Sequence, residues 1–195
     1  MNRKTLQTLE ICLAAVAVGY IIFAIFAYGF APTVILDGLL FGSYALLMRT
    51  NASKAAATIA FIISGYSLWG IVALINIGIN WNWGNGISDY ILPIIMGAVQ
   101  IAMFVLIGIA ALGRVKNRRL ISILIGVFGG AIVLYLVIVV ITTILGGGTN
   151  NFEYTFGSLL SAAMIALIAL VAMGNLSAQK QTDTDGHNSI NPIEG

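Results

Sequence analysis

The sequence predicts an all-α membrane protein: a bundle of six transmembrane helices, both termini cytoplasmic, with a disordered C-terminal tail. Three observations predict it. First, 59% of the 195 residues are hydrophobic and only 8% are charged, whereas a soluble domain carries roughly a quarter charged residues. Second, the apolar residues gather into six stretches, most of them near the roughly 20 residues that a bilayer demands of a helix. Third, the nine Lys and Arg residues fall only in alternate gaps between these stretches. Arg3 and Lys4 precede the first, Arg49 and Lys54 flank the second gap, Arg114, Lys116, Arg118 and Arg119 fill the fourth, and Lys180 lies in the tail. Cytoplasmic loops retain Lys and Arg, so the alternation orients the chain as well as placing it in the cell (plasma) membrane.

The elements follow in order. Helix one is expected over residues 9–28. Arg3 and Lys4 before an apolar run resemble the start of a secretion signal. The run, however, continues from Ile11 to Ala31, beyond the roughly 7–15 residues of a signal core, so it is read as a retained helix. A tight outer turn at Tyr28-Gly29-Phe30-Ala31 leads to helix two, residues 32–48, which Pro32 opens where its missing N–H costs nothing. Helix three is expected over 55–77 and helix four over 90–112, with Pro93 tolerated in the first turn. Helix five, 120–145, is long enough to tilt. Helix six is expected over 156–173. Together they form a transmembrane domain, 1–178.

Residues 179–195 are mostly polar, rich in Gln, Thr, Asp and Asn, with no apolar periodicity. Such a segment buries too little apolar surface to offset its chain entropy and is expected to be a disordered cytoplasmic tail. Truncation after Gln179 is therefore expected to leave expression and the melting temperature in detergent within error. A large fall in either would mean that the tail docks on the bundle.

Composition also limits the chemistry. The single cysteine, Cys12, has no internal disulfide partner and is expected to be a buried packing residue. The single histidine, His187, lies in the tail. An intramembrane metalloprotease pattern, a Ser/His pair and a second carboxylate for an aspartyl dyad are all missing from the spans, so neither an enzyme nor a cofactor is expected. The cations line one membrane face rather than forming a nucleic-acid patch. The run from Arg114 to Arg119 anchors topology; binding of anionic lipid headgroups, about 1 kcal/mol per cation, is a side effect.

Four polar positions are the candidate ligand or proton sites. Asp37 falls in the second turn of helix two, below the reach of simple end effects. An ionisable residue inside a span costs at least about 2.5 kcal/mol at the centre on insertion scales and is a functional candidate by default. All nine cations are expected on the cytoplasmic side, so no Lys or Arg of this chain reaches Asp37 there. It is protonated, solvated through the outer interface, or paired with a cation from outside. Gln100, midway along helix four, is the other strongly polar side chain deep in the bilayer; such amides often bond between helices. Trp81 and Trp83 stand in an amide- and glycine-rich outer loop from Asn76 to Asp89. Two readings compete for them, an interfacial aromatic belt and a lid over an outward-facing pocket. The remaining carboxylates have ordinary explanations: Glu10 at the headgroups, and Asp89 and Glu153 in first helical turns, where acids complement the dipole.

Gly38 with Gly42 in helix two, and Gly126 with Gly130 in helix five, have the four-residue spacing that lets backbones approach in lipid. That spacing serves packing inside the bundle, or a seam for another membrane protein or a second copy. In size, helix number and inward termini the chain resembles the substrate-binding subunits of energy-coupling-factor vitamin importers. The resemblance is one of topology, with Ala14, Ala15 and Gly19 a loose echo of their alanine-rich coupling face. Two functions are expected in order: a non-enzymatic accessory or scaffolding subunit acting through helix–helix contacts, and a small solute- or cation-transport or binding subunit using Asp37 and the Trp-rich loop.

Overall fold

The computed structural model describes residues 2–30, 32–80, 88–113, 115–146 and 152–188. Among them there is helix and no strand: α1 (Arg3–Tyr28), α2 (Pro32–Arg49), α3 (Ser53–Asn80), α4 (Ser88–Ala111), α5 (Arg118–Leu145) and α6 (Phe152–Asn188). Five are long and apolar enough to cross a membrane. The exception, α2, has 18 residues and carries Asp37 and Arg49 within them.

Several helices start earlier than the apolar stretches suggest, because polar caps extend them. Asn2 caps α1, its side chain accepting from the Lys4 amide at 3.3 Å. Asn117 caps α5, accepting from the Leu120 amide at 3.1 Å. Each satisfies an amide that the first turn leaves open. With α4 starting at Ser88, Pro93 falls in the second turn rather than the first, and its missing N–H leaves one carbonyl of the preceding turn without a helical partner. At the other end of the chain, α6 continues past the expected boundary at Met173 to Asn188. Residues 174–188 contain no proline, and a helix already nucleated in the bundle extends without a new nucleation cost.

The helices form a closed ring in chain order. Each packs on its successor and α1 packs on α6, which also reaches α2 and α4. The most inward helix is α6, with 44% of its apolar window buried against 17–33% in the other four spans. Neighbours run antiparallel, as the pairing of positions shows. Gly38 meets Ile21 where Gly42 meets Ala17; Gly97 meets Ile71 where Gly108 meets Phe61; Gly126 meets Met173 where Gly129 meets Ala169. One number rises as the other falls. Arg3, Lys4, Arg49, Lys54, Arg118 and Arg119 consequently share one end of the bundle.

The expected glycine positions divide. A Cβ at Gly38 would lie 2.5 Å from Ile21 Cγ1 and 3.1 Å from the Ala17 carbonyl oxygen, and one at Gly126 would lie 3.2 Å from Met173 Sδ. Gly42 stands at ordinary contact with Ala17, while Gly130 has nothing within 4 Å. Three of the four thus serve packing within the chain.

Cys12 corrects the sequence reading: it is exposed, beside Ile11 and on the outward side of α1. In lipid the outward face of a span is as apolar as the inward one, so a small hydrophobe carries no sign of which way it points. The residues that are fully buried, among them Leu13, Met103, Phe104, Ile107, Ile125 and Ile168, concentrate in the half of the bundle nearer the cations. The other half is less tightly filled.

Candidate central cavity

In the half away from the cations, α2 to α6 line a partly open cavity of about 650 Å³, well inside the roughly 300–1,000 Å³ of small-molecule sites. Two of the four sequence-predicted polar residues meet on its wall. Asp37 comes from α2 and Gln100 from α4. The other two, Trp81 and Trp83, lie outside the described residues.

Helical spacing explains how each helix contributes. On α4, Pro93, Gly97 and Gln100 fall at i, i+4 and i+7, one face of a helix. Along α3, Ile63, Tyr66, Gly70 and Leu74 do the same. Asp37 follows from its neighbour: Gly38 is wedged against Ala17 and Ile21 of α1, and the preceding residue, about 100° round the helix, reaches the cavity, half-buried. The floor is apolar. Phe41 meets Phe104 edge-on, with centroids 5.6 Å apart and planes at 88°, and Phe104 belongs to the buried core beneath.

The electrostatics are one-sided. Among the described residues of the lining there is no Lys or Arg. Asp37 lies within electrostatic reach of the hydroxyls of Tyr20 and Tyr66, and the Tyr20 hydroxyl pairs with Ser161 on the wall. Neither Asp37 nor Gln100 has a hydrogen-bond partner among the described residues. Ser67, also on the wall, donates to its own helix at the Ile63 carbonyl, 2.9 Å away. Among the described residues the free polar capacity of the cavity is therefore a carboxyl group, an amide and the hydroxyls of Thr33, Tyr66 and Tyr135, set in mostly apolar walls.

Glu10 differs from its expected place at the headgroups. It is 4% exposed, on the inward face of α1, with Arg49 the cation that acts on it. It is not part of the cavity lining. Beside the buried Tyr44, close to the cation end, is a second void of about 10 Å³, near the lower limit for a single water. Among the described residues no three His, Cys, Asp or Glu side chains group to hold a metal ion.

Sequence reasoning missed Tyr66, Trp69, Tyr135 and Ser161, all on the wall. Tyr135 carried the same signal as Gln100, a polar group in mid-span. Trp69 carried none, since an aromatic in a span faces lipid as readily as a cavity. No protein-family model, curated protein or solved structure matches the chain, so the use of the cavity has to be argued from its own residues.

Proposed function

We propose that the chain is a six-span plasma-membrane protein, N-in and C-in, that binds a small solute in its central cavity as a transport or solute-binding subunit. One observation carries this reading: Asp37 and Gln100, from different helices and unpartnered among the described residues, share the wall of a cavity large enough for a ligand. Side chains kept only to join helices would be bonded to one another. The alternative of an accessory subunit acting through glycine faces is less well supported, because Gly38, Gly42 and Gly126 are occupied by contacts within the chain. Gly130, open on α5, remains the one position of that set for a second copy or another membrane protein. The proposed activity is binding and passage, without chemistry on the solute.

The orientation rests on the cations gathered at one end, which the positive-inside rule places in the cytoplasm. In a Cys12→Ala background, cysteines introduced at Asn82 and Thr149 are expected to react with an impermeant thiol reagent on intact cells. One introduced at Asn117 is expected to react only after permeabilisation. Labelling at Asn117 alone on intact cells would reverse the assignment.

The binding reading is tested by thermal shift in detergent against a mixed panel of small cationic, neutral and anionic solutes, at several pH values. At least one class is expected to raise the wild-type melting temperature. That shift should vanish in Ala73→Phe, whose ring fills the cavity from α3. If no solute distinguishes the wild type from this variant, the cavity is not a binding site.

A further inference from the structure

We infer that the occupant of the cavity is a monovalent organic cation with an apolar body, an ammonium group held at Asp37 and an aromatic or aliphatic portion lying against the wall. This inference rests on the binding reading above and specifies its ligand.

The first argument is charge. Among the described residues Asp37 is the only carboxylate on the wall, with no Lys or Arg beside it. Such a group needs a counter-charge or a proton, because an isolated carboxylate in apolar surroundings is strongly disfavoured. The chain's own described cations lie at the far end of an antiparallel bundle, with the buried core around Phe104 and Ile107 between. A cation supplied by the ligand fills the gap. A single carboxylate matches a single positive charge.

The second argument separates an organic from an inorganic cation. A bare metal ion gives up its water shell only for a close set of oxygen ligands, six or more for hard divalent ions. The described residues of the cavity wall supply one carboxylate, an amide, and hydroxyls spread over several helices, one of them, Ser67, already donating to its own backbone. No metal-binding group of acids occurs among the described residues. A quaternary or highly alkylated ammonium has few or no N–H groups for water to bond and carries its own apolar surface. Three aromatic side chains, Phe41, Tyr66 and Tyr135, stand on the wall, with the largely exposed Trp69 at its edge, and aromatic faces attract such cations. A volume of about 650 Å³ would leave a bare ion surrounded mainly by empty or apolar space.

The third argument is the amide. Gln100 comes from a different helix than Asp37 and is unpartnered among the described residues. It is placed to meet a polar group at the other end of the ligand, or a water there.

The experiment compares soluble probes that separate charge from bulk. Benzyltrimethylammonium has both, tetramethylammonium has charge without the ring, benzyl alcohol has the ring without charge, benzoate reverses the sign, and potassium chloride supplies the inorganic ion. Binding to purified full-length protein is read by titration calorimetry and thermal shift. Benzyltrimethylammonium is expected to bind the wild type at least about tenfold more tightly than any other probe. Asp37→Asn should lose roughly tenfold or more of that affinity, since the amide keeps the shape without the charge. Asp37→Glu should retain most of it, and the unliganded melting temperatures of both variants should stay near the wild type. Benzyl alcohol, benzoate or potassium binding the wild type as well as the organic cation would overturn the inference while leaving the cavity a binding site. Unchanged affinity in Asp37→Asn would overturn it too. If no solute of any charge binds, both this inference and the binding reading fail. Should Asp37→Asn not accumulate in the membrane, the wild-type series decides alone.

Discussion

Phe104→Ala is expected to cause the largest loss of stability of any single substitution considered for this chain. The ring is fully buried and meets Phe41 edge-on with centroids 5.6 Å apart, which ties α4 to α2 across the ring of helices. Truncating a buried phenylalanine costs about 3–5 kcal/mol in soluble cores, partly through transfer and partly through the void left behind. In lipid the transfer part shrinks, because the unfolded helices are also surrounded by hydrocarbon, but the lost packing contacts remain. A loss of about 2–3 kcal/mol is the expected outcome on that basis. It would be read as a lower melting temperature in detergent, or as unfolding at lower denaturing-detergent fraction. The same change removes the ring that supports Phe41 from beneath the cavity, so a bound solute should stabilise the variant less than it does the wild type. Phe104→Leu should recover most of the stability but not the edge-on contact. If Phe104→Ala melts with the wild type, the core beneath the cavity is not packed as described.

A second large effect is expected at Gly38. Valine there places a Cβ 2.5 Å from Ile21 Cγ1 and 3.1 Å from the Ala17 carbonyl oxygen. The isoleucine end can turn aside, but a backbone carbonyl cannot, so α2 must move off α1. Overpacking of this kind costs about 1–3 kcal/mol, and more when backbone is displaced. Because Gly38 is adjacent to Asp37, the displacement also carries the carboxylate away from its place on the wall. Melting temperature and affinity for an organic cation should therefore fall together. Gly130→Val is the control. It has the same spacing motif in the sequence but nothing within 4 Å, and its effect should be within error or slightly stabilising, since glycine is a poor helix former. Equal effects at Gly38 and Gly130 would contradict the described packing of α2 on α1.

These two glycines show why part of the fold was legible in the sequence and part was not. Both belong to four-residue pairs of small residues, and the pattern alone cannot tell a contact from a bare surface. The inward place of Asp37 and Gln100 on the cavity wall was legible because a strongly polar group in a span is costly to leave in lipid. Tyr66 and Tyr135 were less so, since a tyrosine is comfortable in several places. Cys12 was misjudged for the opposite reason, an apolar residue being equally at home on either face. The longer reach of α6, from Phe152 to Asn188, escaped because hydropathy marks where a helix meets lipid and not where its hydrogen bonding ends.

What the sequence determined by itself is the class of the molecule: helical, apolar, with at least five stretches that suit a membrane and its cations in alternate gaps. Those properties follow from the solvent, because a backbone in hydrocarbon must satisfy its own hydrogen bonds and a cation avoids crossing. Tertiary structure alone decided the order of packing, the inward place of α6 and the meeting of Asp37 with Gln100. In water, hydrophobicity tells a helix which face to bury. In a membrane both faces are apolar, and the choice falls to shape: which glycine admits which side chain, and where the rings of Phe41 and Phe104 close the space beneath a cavity.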